Sequence, residues 1–171
     1  MEIRKSNEND FDAMMELFDE ARGTIALLGI NQWQNGEPSP TVVREDIALG
    51  QSRVVFVDGQ LCGTFALMNG TDPTYEVIYD GAWATGNDNQ NYQAIHRVAV
   101  AVCMRGKGIS TAMMDYAAMH AKALGRTSLR IDTHEGNVVM RRMLEKHGFE
   151  ACGVIHLKNG DPRVAYEKIL K

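Results

Sequence analysis

The segment Arg105-Gly106-Lys107-Gly108-Ile109-Ser110 places two glycines and two cations where an apolar run, Ala94 to Val102, gives way to a helical pattern. The first N–H groups of a helix have no partner inside it and carry partial positive charge. Glycine lets a ligand come close to the backbone and tolerates dihedrals that other residues avoid. Arg105 and Lys107 add full charges. Together these features make a seat for phosphate or pyrophosphate; the plainer alternative is a tight turn. The segment is not a Walker loop, because Gly108 and not Ser or Thr follows Lys107, nor does it match the G-x-G-x-x-G dinucleotide pattern.

The elements that must position this turn can be read from periodicity. Glu2 to Arg4 reads as a short first strand. From Asp10 onward Phe11, Met14, Met15, Phe18, Ala21, Ile25 and Leu28 recur at helical spacing, with Asn9 or Asp10 as cap and Gly29 as stop. A turn-rich link, GINQWQNGEPSP, precedes a second short helix over Thr41 to Leu49. Arg53 to Val57 and Leu61 to Met68 form a hairpin around Asp58-Gly59. Tyr75 to Tyr79 is a β-rich piece between loops. Ala94 to Val102 reads as a central strand, Ser110 to Leu124 as a helix, Ser128 to Thr133 as a strand. Asn137 to His147 is a helix stopped by Gly148, and Glu150 to Leu157 and Arg163 to Ile169 are closing strands. The fold class expected is α+β (mixed α/β), with a central, largely antiparallel sheet and one parallel crossover. A ligand is expected near the C-terminal ends of the two crossover strands.

Bulk properties narrow the function. A chain of 171 residues suits a single domain over 1–171, and 44% hydrophobic residues describe a globular chain. A net charge of -4 argues against a nucleic-acid partner. Cys62, Cys103 and Cys152 form no C-x-x-C pair and fit free thiols in a reducing cytoplasm better than disulfides or a metal site. The first residues lack the apolar core of a signal peptide, and no apolar run approaches a membrane span.

The pattern R-x-x-G-x-S at Arg105, Gly108 and Ser110 resembles motif A of the GNAT superfamily of acetyl-CoA-dependent N-acetyltransferases, usually Q/R-x-x-G-x-G/A. Val98-Ala99-Val100 looks like that family's central strand. RIDTHEGNVVMRRMLEKHGF, Arg130 to Phe149, resembles its motif B, with Asn137 and a closing Gly148-Phe149. INQWQNGEPS, IYDGAW, HRVAV, KHGF and RVAYEKIL are similar to a bacterial subgroup of the same family. Two departures stand out. Ser110 replaces Gly or Ala. Leu144 occupies the position where many members carry a tyrosine that protonates the leaving thiolate.

The resemblance implies a GNAT-like α-β-α fold with a splayed sheet, acetyl-CoA as co-substrate and no metal. It implies that the turn Arg105, Gly106, Lys107, Gly108, Ile109 and Ser110 holds the pyrophosphate. Val98, Ala99 and Val100 would pair with the pantetheine arm, an N–H near Val100 would face the thioester oxygen, and Asn137 would touch the arm. The acceptor would be a primary amine of a small molecule or peptide, and pairing into a homodimer is compatible with the family. For the base, His96 precedes Val98 by two residues, so a regular strand puts both on one face. Imidazoles ordinarily titrate near about 6.5, which suits a base near neutral pH; the alternative is a histidine hydrogen-bonded in the sheet. Tyr92 is a second candidate, for acid or substrate contact, or a plain loop aromatic. Trp33 and Gln34 lie in the link that lines the acceptor pocket in this family; Trp33 could equally anchor the link in the core. Asp46, Glu76, Trp83 and His134 complete the acceptor-side candidates, with a solvated helix face as the alternative for Asp46; Glu135 reads as support for the N-terminus of the following helix. The competing function is a GNAT-like module that binds acyl-CoA without catalysis.

Overall fold

A computed structural model describes residues 1–171, and its chain divides into two compact units. Met1–Asn69 with His96–Tyr116 form the first, and Gly70–Ile95 with Ala117–Lys171 the second.

The first unit begins with strand β1 (Glu2–Lys5), helix α1 (Phe11–Ala26), helix α2 (Pro40–Ala48), and strands β2 (Ser52–Val57) and β3 (Gln60–Leu67). β1 and β2 pair antiparallel through Glu2↔Phe56 to Lys5↔Arg53, and β2 and β3 through Ser52↔Ala66 to Val57↔Gln60. Asp58 and Gly59 both take positive φ, 50° and 78°, as the tight hairpin turn between twisted strands demands. Asp10 is the N-cap of α1, as expected, but its side chain makes no cap bond there; the capping side chain is that of Asn7, at the preceding 3-10 turn. The Asn7 side chain accepts from the Asn9 N–H, and the Asp10 carboxylate accepts from the Asn7 N–H, closing a capping box around a 3-10 turn at Glu8–Asp10. Arg4 grips that carboxylate at 2.8 and 2.9 Å, which holds Asp10 below the ordinary carboxylate range. The periodic residues of α1 then face inward: Phe11, Met14, Leu17 and Phe18 pack with Val43, Val54 and Ala99 into one cluster.

The second unit is built on β5 (Ser128–Thr133), α4 (Val138–Lys146), β6 (Glu150–His156) and β7 (Pro162–Ile169), after β4 (Tyr92–Val100) and α3 (Ile109–Ala123), which are shared between the units. β4 and β5 run parallel at Tyr92↔Ser128, Gln93↔Leu129 and Ala94↔Arg130. β7 pairs antiparallel with both β5 and β6. The strand order is β1-β2-β3-β4-β5-β7-β6, a mixed sheet in which β4 and β5 are parallel. Fold class and topology therefore agree with expectation.

One expected strand is absent. Tyr75 to Tyr79 is not extended: Pro73–Tyr75 form a 3-10 turn, with Asp72 accepting from the Thr74 N–H at 2.8 Å. Only Tyr79 bridges β6, exchanging 2.8 Å bonds with Val154, and the Ala82 N–H adds a 3.0 Å bond to the Cys152 carbonyl. This strap lies so close to β6 that a Cβ on Gly81 would meet the Cys152 oxygen at 1.9 Å, and one on Gly153 the Tyr79 oxygen at 2.5 Å. Of the residues that suggested a strand, Ile78 and Tyr79 lie against β6, whereas Val77 is exposed and Tyr75 packs against Trp83 and Tyr92.

Candidate active site

In the first unit, β4 leaves its regular course before it reaches the glycine turn. Arg97 has φ 53°, a left-handed conformation unfavourable to a side chain with Cβ. Side chains alternate only along a regular strand. The inference that His96 and Val98 share a face therefore does not carry across Arg97. His96 and Val98 are both half-buried, and Ala99 is buried. Arg97 is gripped from α2: its Nε and Nη2 donate to Asp46 at 2.5 and 2.8 Å, and Gln51 donates to the same carboxylate at 3.2 Å. Asp46 is therefore neither on a solvated helix face nor open to a ligand; it is 5% exposed and committed to Arg97.

Past β4 the chain makes a 3-10 turn, Val102–Met104, tied down by the Ala101 N–H to the Cys62 carbonyl (2.8 Å) and the Val102 N–H to the Glu20 carboxylate (3.0 Å). Gly106 and Gly108 follow with φ 74° and 82°. A Cβ at either would meet no atom within 4 Å, so open space lies over the backbone there. Arg105, Gly106, Lys107 and Gly108 are exposed, whereas Ile109 is buried and fixes the start of α3. The Ala112 N–H bonds the Gly108 carbonyl at 3.0 Å, the first turn of the helix. Exposed cations and an approachable backbone at a helix start fit a pyrophosphate.

Trp33, at φ 63°, packs edge-on against Phe18 with ring centroids 5.8 Å apart, and belongs to the margin of the core cluster. Gln34 is exposed, and its Nε2 donates to the Arg22 and Gln32 carbonyls.

The second unit holds the other candidates. His134 accepts the Gly136 N–H on Nδ1 at 2.9 Å and turns the chain from β5 toward α4. The Asn137 side chain caps α4 by accepting from the Met140 N–H at 3.2 Å. Leu144 is fully buried. Trp83 is 2% exposed, its indole N–H donating to the Tyr75 carbonyl at 3.0 Å. Tyr92 is 4% exposed and its hydroxyl accepts the Asp72 N–H at 2.7 Å. Burial raises the Tyr92 phenol, only partly offset by the Asp72 amide, so it holds its proton at neutral pH.

Between these two aromatics lies a residue that sequence reasoning passed over. The Arg130 guanidinium stacks 4.2 Å from the Trp83 ring centre and 4.3 Å from that of Tyr92. Its Nε donates to Glu167 at 2.9 Å; Ser128 and Thr85 hydroxyls donate to the same carboxylate at 2.6 and 2.5 Å. Burial alone would raise Glu167, but these three hydrogen bonds and the arginine charge outweigh it, and its pKa is lowered. The pair was visible in principle: Ser128, Arg130 and Asp132 alternate along a strand whose other side is Leu129 and Ile131, so one face had to enclose polar groups.

Residues 11–149 match the acetyltransferase (GNAT) family, and the chain belongs to that family. It is an acyltransferase. It is similar to an acetyltransferase of the GNAT family from Streptococcus agalactiae, with 34% identity over 99% of this chain and 95% of the other, at a TM-score of 0.85. More distant folds include PaiA N-acetyltransferase from Thermoplasma acidophilum in complex with coenzyme A, with 19% identity over 98% of each chain and a TM-score of 0.72. A ribosomal-protein-alanine N-acetyltransferase from Brucella melitensis gives 19% identity over 99% and 100%, with a TM-score of 0.71. No curated protein matches the chain. No helix is long and apolar enough to cross a membrane.

Proposed function

We propose that residues 1–171 act as one catalytic domain that moves the acetyl group of acetyl-CoA to a primary amine of a small molecule or peptide, by direct attack. The observation that carries this reading is the open, basic glycine turn at the start of α3, in a chain of this family. Arg105 to Ser110 would hold the pyrophosphate, and Val98 to Val100 would lie along the pantetheine arm. Asn137, whose side chain caps α4, would touch that arm. Acetyl-CoA supplies an acyl group activated as a thioester. The chain's part is to hold the donor, to offer an N–H near Val100 to the carbonyl oxygen, and to take the proton of the attacking amine, for which His96 is the proposed base. One C–N bond forms, one C–S bond breaks, and the thiolate regains a proton.

Trp33, Gln34 and His134 remain the proposed acceptor-side residues, and the proposed setting is cytoplasmic. The buried Leu144 favours a second reading, a module that binds acyl-CoA without turnover. Release of free thiol from acetyl-CoA in the presence of a broad amine panel separates the two: turnover supports the enzyme, and binding without turnover on any amine supports the module. Gly108→Asp adds volume and negative charge at the turn and is expected to weaken CoA binding roughly hundredfold. Unchanged affinity by calorimetry would remove the turn from the site.

A further inference from the structure

A cavity of about 240 Å³ opens within the second unit, floored by Arg130, Tyr75 and Tyr92 and ringed by Asn87, Gln90 and Glu76. The Tyr75 hydroxyl donates to Asp132 at 2.7 Å, and the Tyr92 hydroxyl accepts from Asp72. Arg130, 1% exposed, spends Nε on Glu167 and Nη2 on the Thr85 hydroxyl and the Gly86 carbonyl at 3.2 and 3.1 Å. Both of its faces are covered by aromatic rings. Nη1 takes part in none of these bonds, and Arg130 lines the cavity. Asn87 uses its oxygen to accept the Trp83 N–H at 2.9 Å, which leaves its NH₂ group as a further donor.

A buried guanidinium edge beside an amide NH₂ is the donor set that a carboxylate takes. Charge decides what else the ligand carries. Arg130 is already balanced by Glu167, so a bare carboxylate would add a negative charge to a neutral floor beneath the acidic Glu76. A ligand with an ammonium group for Glu76 adds none. We infer that this cavity binds a zwitterion of amino-acid size, its carboxylate toward Arg130 Nη1 and Asn87 and its ammonium toward Glu76. The inference is independent of acetyl transfer and needs no bound CoA.

Calorimetric titration of the full chain without acetyl-CoA tests it, with each common amino acid, acetate and methylammonium as probes. At least one amino acid is expected to bind roughly tenfold or more tighter than either single-charge probe. Asn87→Asp keeps the bond to Trp83 and the shape but replaces the NH₂ by a charge. It is expected to cut amino-acid affinity about tenfold or more, at an unchanged melting temperature. Glu76→Gln, on the exposed rim, is expected to cost about three- to tenfold and to narrow the gap to acetate. Absence of binding by every amino acid, acetate binding as tightly as the amino acids, or affinity indifferent to both substitutions would overturn the inference.

Discussion

Two buried arginine–carboxylate pairs, one in each unit, look alike in composition and differ in what they do. Arg97 and Asp46 keep 19% and 7% of their side chains exposed, and the arginine sits on a left-handed backbone. Arg130 and Glu167 keep 1% and 0%, and the arginine sits in a regular strand between two aromatic rings. In the first unit the pair restrains a kink in β4, just before the Val98–Val100 stretch. In the second it makes a polar interior self-sufficient, with every carboxylate bond answered by Ser128, Thr85 or Arg130. A buried ion pair thus serves backbone shape in one place and enclosure in the other.

The largest effect is expected at Glu167. Glu167→Ala leaves a desolvated guanidinium without its counter-charge and is expected to cost about 3–5 kcal/mol in urea unfolding. A loss below about 1 kcal/mol would show that the pair behaves like a surface one. Asp46→Ala should cost less, about 2–3 kcal/mol, because Arg97 reaches solvent. Adding Arg97→Gly to that background removes the strain of φ 53° and is expected to return about 1 kcal/mol. Further destabilisation would mean that the kink is not held against strain.

Acid sharpens the contrast. The Glu167 carboxyl titrates below its ordinary 4.5 and Asp10 below 3.8 in the folded chain. Depressed carboxylates contribute stability that is full above those ordinary values and is lost as pH falls through the lower folded ones. Unfolding midpoints are therefore expected to drop below about pH 4.5, the ordinary glutamate range, and to drop less in Glu167→Ala. The smallest effect is expected for Arg97→Lys, which keeps the charge but loses the two-pronged grip on Asp46, at about 1 kcal/mol by thermal melting.

Much of this was legible in the chain. Helix α1, the hairpin at Asp58-Gly59, the parallel crossover and the glycine turn follow from local rules of periodicity, turn chemistry and helix ends. What was not legible depends on partners far apart in sequence. Asp46 reads as an exposed helix residue until Arg97, 51 residues on, is brought to it. Trp83 reads as an acceptor-side candidate until Arg130 is stacked on it. The kink at Arg97 has no sequence mark, because left-handed positions are ordinarily given to glycine or asparagine. Tyr75 to Tyr79 has strand-like composition yet is held by the 3-10 turn at Asp72-Pro73. On the candidate site, the donor side was readable because it is built of contiguous backbone, whereas the acceptor side is side-chain placement.

The strap from Tyr79 to Ala82 has a consequence for assembly. β6 ends the strand order, and an open edge of that kind is a template for recruiting a further strand from another molecule. Along Cys152 to Val154 the outward carbonyls and the Val154 amide are already taken by Tyr79 and Ala82, and Gly81 and Gly153 let the strap lie too close for a second chain to slip between. Copies of this protein that associate through sheet edges would have to do so somewhere other than the middle of β6, and the same strap shields that edge from aggregation.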